Sequence, residues 1–198
     1  MDHGVDALGL LGSMPTSPTA IDIDSAREIA SVVPPGVETH LLSASFSGDE
    51  IAKQAAYCRT TSVQVAQHID VREYQRIVAQ IPNVRRVQVI HVRDRSALDL
   101  IDIYEPYVHA FILDGGTTGG SVADLGGTGR VHDWGISSEF VRQTCKPVFL
   151  AGGLNPHNVR KAISTVAPFG VDLCSGVRRK NKLDAQLLDD FTAKVWRA

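Results

Sequence analysis

Short apolar runs, rich in β-branched residues, recur along the chain, and a helical pattern separates each run from the next. Near-continuous apolar character, as in residues 87–92, is typical of strands that are covered on both faces of a parallel sheet. The pattern predicts seven strands, at 5–11, 38–44, 61–66, 86–92, 110–114, 147–152 and 171–175. Strand, helix and strand at this short spacing indicate right-handed βαβ units in one parallel sheet.

Polar capping residues mark where the predicted helices begin. Asp24, Asp70 and Asn155 each precede a segment with helical periodicity. Pro156 suits the first position of the third of these helices, because its missing N–H is not needed there. A last helix is predicted over about 184–196.

The number of strands bounds the fold, which we place in the α/β class. Seven parallel strands are one short of a (β/α)₈ TIM barrel, and a doubly wound open sheet is the alternative. No GxGxxG motif follows the first strand, which weakens a dinucleotide-binding version of that alternative. No linker or charge block interrupts the pattern, so we expect one domain over residues 1–198. The glycine-rich segment 115–129 is predicted as a long loop, and such loops are usually functional.

Charge and cysteine content narrow the class of protein. Twenty Lys and Arg against 22 Asp and Glu give a formal net charge of −2, so no global electrostatic footprint for nucleic acid or an anionic membrane is present. The three cysteines lack CxxC spacing, which favours a reducing compartment. No apolar run approaches ~18 residues and no secretory signal is recognisable. We therefore expect a cytoplasmic protein with no nucleic-acid or membrane partner.

Candidate chemistry lies where the strands end, because active sites of parallel α/β folds form there. Gly152-Gly153 and Ser175-Gly176 follow two of the predicted strands, and both turns can present backbone N–H groups to a phosphate. The alternative is that these glycines only satisfy tight turns. Asp133, between the glycine-rich loop and a tryptophan, is a candidate general acid. It is equally a candidate cap for a helix that starts near Ser137.

Three motifs in this order and spacing carry a resemblance to a known family. They are Gly126-Gly127-Thr128-Gly129-Arg130 with Asp133-Trp134, then LAGGLNPHN at 150–158, then Gly170-Val171-Asp172 with Ser175-Gly176-Val177. Together they resemble phosphoribosylanthranilate isomerase, an enzyme of tryptophan biosynthesis. Weaker likeness extends over nearly the whole chain.

The resemblance implies a (β/α)₈ barrel that catalyses an Amadori rearrangement of a small phosphorylated substrate, with no metal or organic cofactor, as a monomer or homodimer. Asp133 is similar to the acid that protonates the ribose ring oxygen, and Asp172 to an aspartate near the aromatic amine. Gln64 matches a substrate-binding position. The predicted phosphate cradle consists of Gly152, Gly153, Ser175 and Gly176.

The sequence departs from the family pattern at positions that, by the resemblance, serve the anthranilate end of the substrate rather than its phosphate. Family members begin with a strand carrying Lys-Ile-Cys-Gly, whose cysteine is the general base, and this chain starts at a position that matches the end of the following helix. We expect a barrel whose first strand is missing or replaced, with its gap covered by another segment, a partner chain or upstream coding sequence. The family's Ser-Pro-Arg reads Ser17-Pro18-Thr19, its Gln-Leu-His-Gly reads 64–67 as Gln-Val-Ala-Gln, and its Val-Glu reads Val177-Arg178.

Two questions stay open at this point. Cys174 and Asp172 point the same way along a strand, so either can substitute for the base, although a buried apolar cysteine is the simpler interpretation of Cys174. The second hypothesis for function is a phosphate-binding relative that no longer isomerises this substrate. It acts either on another phosphorylated sugar or as a binding module.

Overall fold

The computed structural model describes residues 3–12, 20–116 and 132–198. Two features of the sequence lie outside these ranges. They are the Ser17-Pro18-Thr19 site and most of the glycine-rich segment with its motif at 126–130. None of the helices in the described ranges is long and apolar enough to cross a membrane.

Seven parallel strands form one curled sheet, which confirms the strand count and direction predicted from the apolar runs. Each strand pairs with the next along the chain, in the order β1 to β7. A doubly wound sheet reverses its strand order at a switch point, and this one does not. Within the described residues, β1 and β7 are the edges. The strands are β1 (Ala7–Leu11), β2 (Glu38–Ser43), β3 (Ser62–Val65), β4 (Arg85–His91), β5 (Ala110–Asp114), β6 (Val148–Leu150) and β7 (Gly170–Val171).

Helices connect the strands and cover the outside of the sheet. Asp70 caps its helix as the sequence predicted, with a side chain that accepts the Arg72 N–H, and Asp184 caps the last helix by accepting the Leu187 N–H. The helices are α1 (Ile23–Val32), α2 (Gly48–Cys58), α3 (Val71–Gln80), α4 (Leu100–Tyr104), α5 (Trp134–Gln143), α6 (Val159–Val166) and α7 (Ala185–Val195). Short 3₁₀ segments span Arg95–Asp99 and Ser175–Val177, and β8 (Arg178–Arg179) and β9 (Lys182–Leu183) form a small hairpin.

Two predicted helix starts are wrong. Helix α1 is capped by Asp22, whose carboxylate accepts the Ser25 N–H at 2.7 Å, so Asp24 falls inside the first turn. Helix α6 begins at Val159 rather than after Asn155. The reason is a separate turn in which the Asn155 carbonyl accepts the N–H of Asn158 at 3.2 Å and of Val159 at 3.1 Å.

The two faces of the sheet bury different cores. The outer face packs against the helices through Leu10, Leu41, Val63, Val65, Ile90, Phe111, Leu113, Val148 and Leu150. The inner face carries a smaller cluster of Val87, Val89, Ala110, Ile112 and Ala151, with Phe149 packed against it. Strands β4, β5 and β6 therefore alternate between the two cores, as a pleated backbone requires. Because this small cluster is apolar, any residues that take part in chemistry on the inner face lie outside it.

Candidate functional site

The carboxyl ends of the middle strands bring polar side chains together on the inner face. His91 lies two residues beyond Val89, and Asp114 lies two residues beyond Ile112, so both continue the inner rows. The parallel register places His91 directly beside Asp114. Asp172 continues the inner row of β7 in the same way.

Asp114 is a carboxyl group held in a desolvating environment. Burial raises its pKa above the ordinary aspartate value. Two interactions lower the pKa of Asp114. They are the Gly116 N–H, which donates to Oδ1 at 2.7 Å, and the charge of His91. A raised pKa lets a carboxyl group hold a proton closer to neutrality, which a general acid requires.

The carboxyl group of Asp172 interacts electrostatically with that of Asp114. Its backbone is fixed by an N–H donated to the Leu150 carbonyl at 2.8 Å. The surrounding protein and the charge of Asp114 raise the pKa of Asp172 to about 6, even though water reaches the side chain. Because a like charge disfavours ionisation, the charge of Asp114 helps Asp172 to keep its proton. This pairing gives the predicted Asp172 an acid–base neighbour that the sequence did not identify.

His91 is a buried imidazole at the same edge, with 4% of its surface exposed. Its Nε2 lies 3.0 Å from the Ala66 carbonyl oxygen. Because a carbonyl only accepts, Nε2 carries the hydrogen in this contact and Nδ1 of the neutral ring carries a lone pair. Nδ1 is buried and has no hydrogen-bond partner among the described residues. Burial lowers the pKa of His91, so the ring is neutral near pH 7.

Asp133 caps helix α5 in this structure. Its Oδ1 accepts the N–H of Gly135 at 2.8 Å, and the helix begins at Trp134 rather than near Ser137. The side chain is exposed, and it lies after the loop rather than on a strand. The structure thus shows the capping role, while the role of general acid stays a prediction.

The predicted phosphate loops lie against each other. Gly152 and Gly153 both have positive φ, 77° and 68°, which favours glycine. A Cβ on Gly176 would come within 1.8 Å of the Leu154 carbonyl oxygen, so the second loop packs directly on the first. The N–H groups of Gly152 and Gly153 donate to none of the described residues. Binding of phosphate to this pair of loops stays a prediction.

Side-chain amides hold the first of these loops in shape. The Nδ2 groups of Asn155 and Asn158 donate to the Gly153 carbonyl at 3.2 and 2.9 Å. The carbonyl is therefore occupied within the protein. Because this carbonyl already accepts two hydrogen bonds, the groups of the loop that remain available to a ligand are its backbone N–H groups.

The remaining predicted residues divide between the inner face and the surface. Gln64 lies on the inner face of β3, paired in register with Val87 and 9% exposed. Ser175 begins the 3₁₀ turn and is exposed. Cys174 is also exposed, so the interpretation as a buried apolar cysteine is wrong.

Sequence reasoning missed Asp114 and His91. Both are polar residues at the end of an apolar strand, which is the available signal, because active sites form at that edge. Their proximity depends on the register between β4 and β5, and no local pattern encodes that register.

Curated proteins with similar sequences include several N-(5'-phosphoribosyl)anthranilate isomerases. Residues 13–194 match the family model for N-(5'phosphoribosyl)anthranilate (PRA) isomerase. The chain is 36% identical to the N-(5'-phosphoribosyl)anthranilate isomerase of Methanocella arvoryzae over 193 residues, which cover 97% of this chain and 88% of that protein. The protein of the same name from Moorella thermoacetica is 37% identical over 188 residues, which cover 91% and 77%.

Solved structures share the fold. The phosphoribosyl anthranilate isomerase from Thermotoga maritima gives a TM-score of 0.83 at 25% identity, with 100% of this chain and 91% of that chain covered. A crystal structure of such an isomerase in complex with reduced 1-(o-carboxyphenylamino)-1-deoxyribulose 5-phosphate gives 0.81 at 24% identity, with 100% and 90% covered. This structural similarity confirms that the curled sheet belongs to a fold of the TIM-barrel type.

Proposed function

Because the chain belongs to the N-(5'-phosphoribosyl)anthranilate isomerase family, we propose that it converts N-(5-phosphoribosyl)anthranilate to the aminoketose by an Amadori rearrangement, in tryptophan biosynthesis. The single observation that carries the chemistry is the pair Asp114 and Asp172 at the carboxyl edge of the inner face. Burial raises the pKa of both carboxyls, and the charge of Asp114 raises that of Asp172 further.

The reaction is an internal redistribution of hydrogen. Substrate and product are isomers, so an acid and a base suffice and no electron acceptor is consumed. The first step needs a proton on the ribose ring oxygen as the ring C–O bond breaks. We assign this proton to Asp114, because its carboxyl lies on the inner face with a raised pKa, whereas Asp133 uses its carboxylate to cap α5.

The phosphate of the substrate is assigned to the two adjacent glycine loops. Oriented N–H groups of Gly152, Gly153 and Gly176, with the hydroxyl of Ser175, are sufficient donors without a lysine. Gln64 on the inner face is the polar contact assigned to the middle of the substrate. We place the protein in the cytoplasm as a monomer or homodimer.

A fluorescence assay of substrate consumption tests this function, with Asp114→Asn and Asp133→Asn as the pair of variants. Asn caps a helix about as well as Asp, so Asp133→Asn keeps the cap and removes only the acid. We expect Asp114→Asn to lower kcat by about 10²–10⁴-fold and Asp133→Asn to change it less than about threefold.

Each alternative has its own outcome. The reverse ranking would make Asp133 the acid. A wild-type protein that binds ribose 5-phosphate and consumes no phosphoribosylanthranilate would contradict the isomerase function and support the phosphate-binding relative.

A further inference from the structure

We propose that the hairpin formed by β8 and β9, residues 178–183, is a cationic arm that attracts the phosphate group of the substrate toward the two glycine loops. The inference rests on the proposed binding of a sugar phosphate at those loops and adds side chains to that site. The loops supply backbone N–H groups to the bound phosphate, whereas the cationic arm acts on the phosphate before it binds. A dianionic sugar phosphate is the class of ligand that such an arm serves.

Charge is distributed unevenly along the chain. Residues 151–198, which include both glycine loops, contain eight Lys and Arg against four Asp and Glu, a formal net charge of +4. Residues 1–150 contain 12 against 18, a formal net charge of −6. Half of the cations in the positive part belong to the hairpin, as Arg178, Arg179, Lys180 and Lys182. A weakly acidic protein therefore presents a strongly positive segment next to its predicted phosphate site.

The hairpin is joined directly to the second glycine loop. The 3₁₀ turn Ser175–Val177 ends where β8 begins, and the Asp184 N–H, just after β9, donates to the Val177 carbonyl at 2.9 Å. Both ends of the hairpin are therefore fixed beside this turn. Arg178 is the second residue after Gly176, so their Cα atoms lie within about 7 Å of each other. The Debye length at physiological ionic strength is about 8 Å, so salt screens the base of the cationic arm from the loops only in part.

The carboxylates of this region do not neutralise the tip of the cationic arm. Asp184 pairs with Arg179 at 2.9 Å, and the two further carboxylates on α7 are engaged by other partners. Lys180 and Lys182 are exposed, and neither forms an ion pair with any residue that the structure describes. Both ammonium groups are therefore available to an anion that approaches from solvent.

The turn of the hairpin has a backbone that favours asparagine or glycine. Lys180 and Asn181 join β8 to β9, and both have positive φ, 50° and 63°, as a type I′ turn requires. Asparagine tolerates this region, whereas a lysine there is uncommon. A cation thus occupies a position that the backbone itself does not favour. Backbone strain of this kind is concentrated at functional sites.

Arg178 lies at the base of the cationic arm and keeps an unused donor. Its Nη1 donates to the Asn181 carbonyl at 2.9 Å, so part of the guanidinium closes the turn. Its Nε is buried and has no hydrogen-bond partner among the described residues. A buried donor without a partner is unfavourable, and phosphate oxygens are strong acceptors for arginine. The family resemblance predicts glutamate at this position, so the chain carries a positive charge here in place of a negative one.

The expected consequence is electrostatic steering. Attraction between a cluster of like charges and an oppositely charged ligand raises the rate of association, and it weakens as ionic strength rises. Two lysines about 10 Å from a phosphate of charge −2 account for several-fold in affinity at low salt, and screening removes most of this effect at high salt. Ionic strength therefore distinguishes the field of the cationic arm from a direct contact within the loops.

Calorimetric titration with ribose 5-phosphate, at about 20 mM and about 500 mM salt, tests the cationic arm. Lys180→Asn/Lys182→Gln removes two charges, and Asn suits the positive φ of the turn. Lys53→Gln/Arg59→Asn is the matched control. It removes two exposed cations of α2 and its C-cap, and Arg59 also has positive φ, 56°. Arg59 lies just before β3, at the edge of the sheet opposite the loops.

We expect the hairpin variant to weaken binding by about 3–10-fold at low salt and by less than about 1.5-fold at high salt, with the control within about 1.5-fold at both. A hairpin variant that binds as the wild type does at low salt overturns the cationic arm, and so does an equal loss at both salt concentrations. A wild type that does not bind ribose 5-phosphate overturns the phosphate site together with the arm. Isomerase activity is measured separately by the fluorescence assay, so its failure is recognised independently.

Melting curves separate a functional lysine from a structural one. Lys180→Asn should keep or raise the Tm while it weakens binding, because Asn relieves the strain of the turn. Asn181→Gly should raise the Tm without changing the affinity, because every charge remains. A Lys180→Asn variant with a lower Tm and unchanged affinity would contradict the proposal, since the lysine would then serve the fold alone.

Discussion

Two buried polar residues of β4, on opposite faces of the sheet, differ in how completely their hydrogen bonds are satisfied. Gln88 points outward and is fully buried, and its amide is satisfied by the Tyr74 hydroxyl at 2.7 Å and by three backbone carbonyls. His91 points inward and is nearly as buried, yet only one of its ring nitrogens has a partner.

The comparison separates stability from chemistry. The outer layer is continuous and apolar, with Phe111 and Phe140 in edge-to-face contact at 5.2 Å, and the amide of Gln88 is paired within it. The inner layer has a small apolar cluster and a rim of carboxyls and imidazole that burial keeps away from their ordinary pKa values. Substitutions on the two faces should therefore affect different measurements.

The largest effect is expected in the outer layer. Phe140→Ala removes a fully buried ring, and we expect the free energy of unfolding to fall by about 3–5 kcal/mol. The kcat of the folded fraction should stay unchanged, because the ring does not face the inner site. Urea unfolding and turnover at a temperature well below the melting point measure the two quantities. A large loss of kcat without a loss of stability would contradict the division between the faces.

A smaller effect is expected at the phosphate loops. Gly153→Asp places a carboxylate beside the predicted anion and should weaken binding of ribose 5-phosphate by well over tenfold, about 1.4 kcal/mol or more. Gly153→Asn is the matched control, because Asn tolerates the positive φ of this position about as well as Asp does and carries no charge. Ser175→Ala should do less, since the backbone N–H survives. Calorimetric titration that gives equal affinity for wild type and Gly153→Asp would make these glycines ordinary turn residues.

Sequence alone predicts the parts of this molecule that local patterns encode. Apolar runs gave all seven strands, and the glycine loops were found because turns need particular residues. The start of α1 was misplaced because Asp22 and Asp24 are equally good caps, and only the contact with Ser25 distinguishes them. His91 and Asp114 at the inner rim were missed because their proximity depends on strand register.

The central claim is that the inner rim holds a proton that surface carboxyls do not. Carbon-13 NMR titration of the Asp114 and Asp172 side chains tests it most directly. We predict that Asp172 titrates near pH 6, so its proton is lost as pH rises through that value. Asp114→Asn should lower the midpoint of Asp172, because it removes a like charge. Two carboxyls that both titrate at or below about pH 4, the ordinary range for aspartate, would contradict the account.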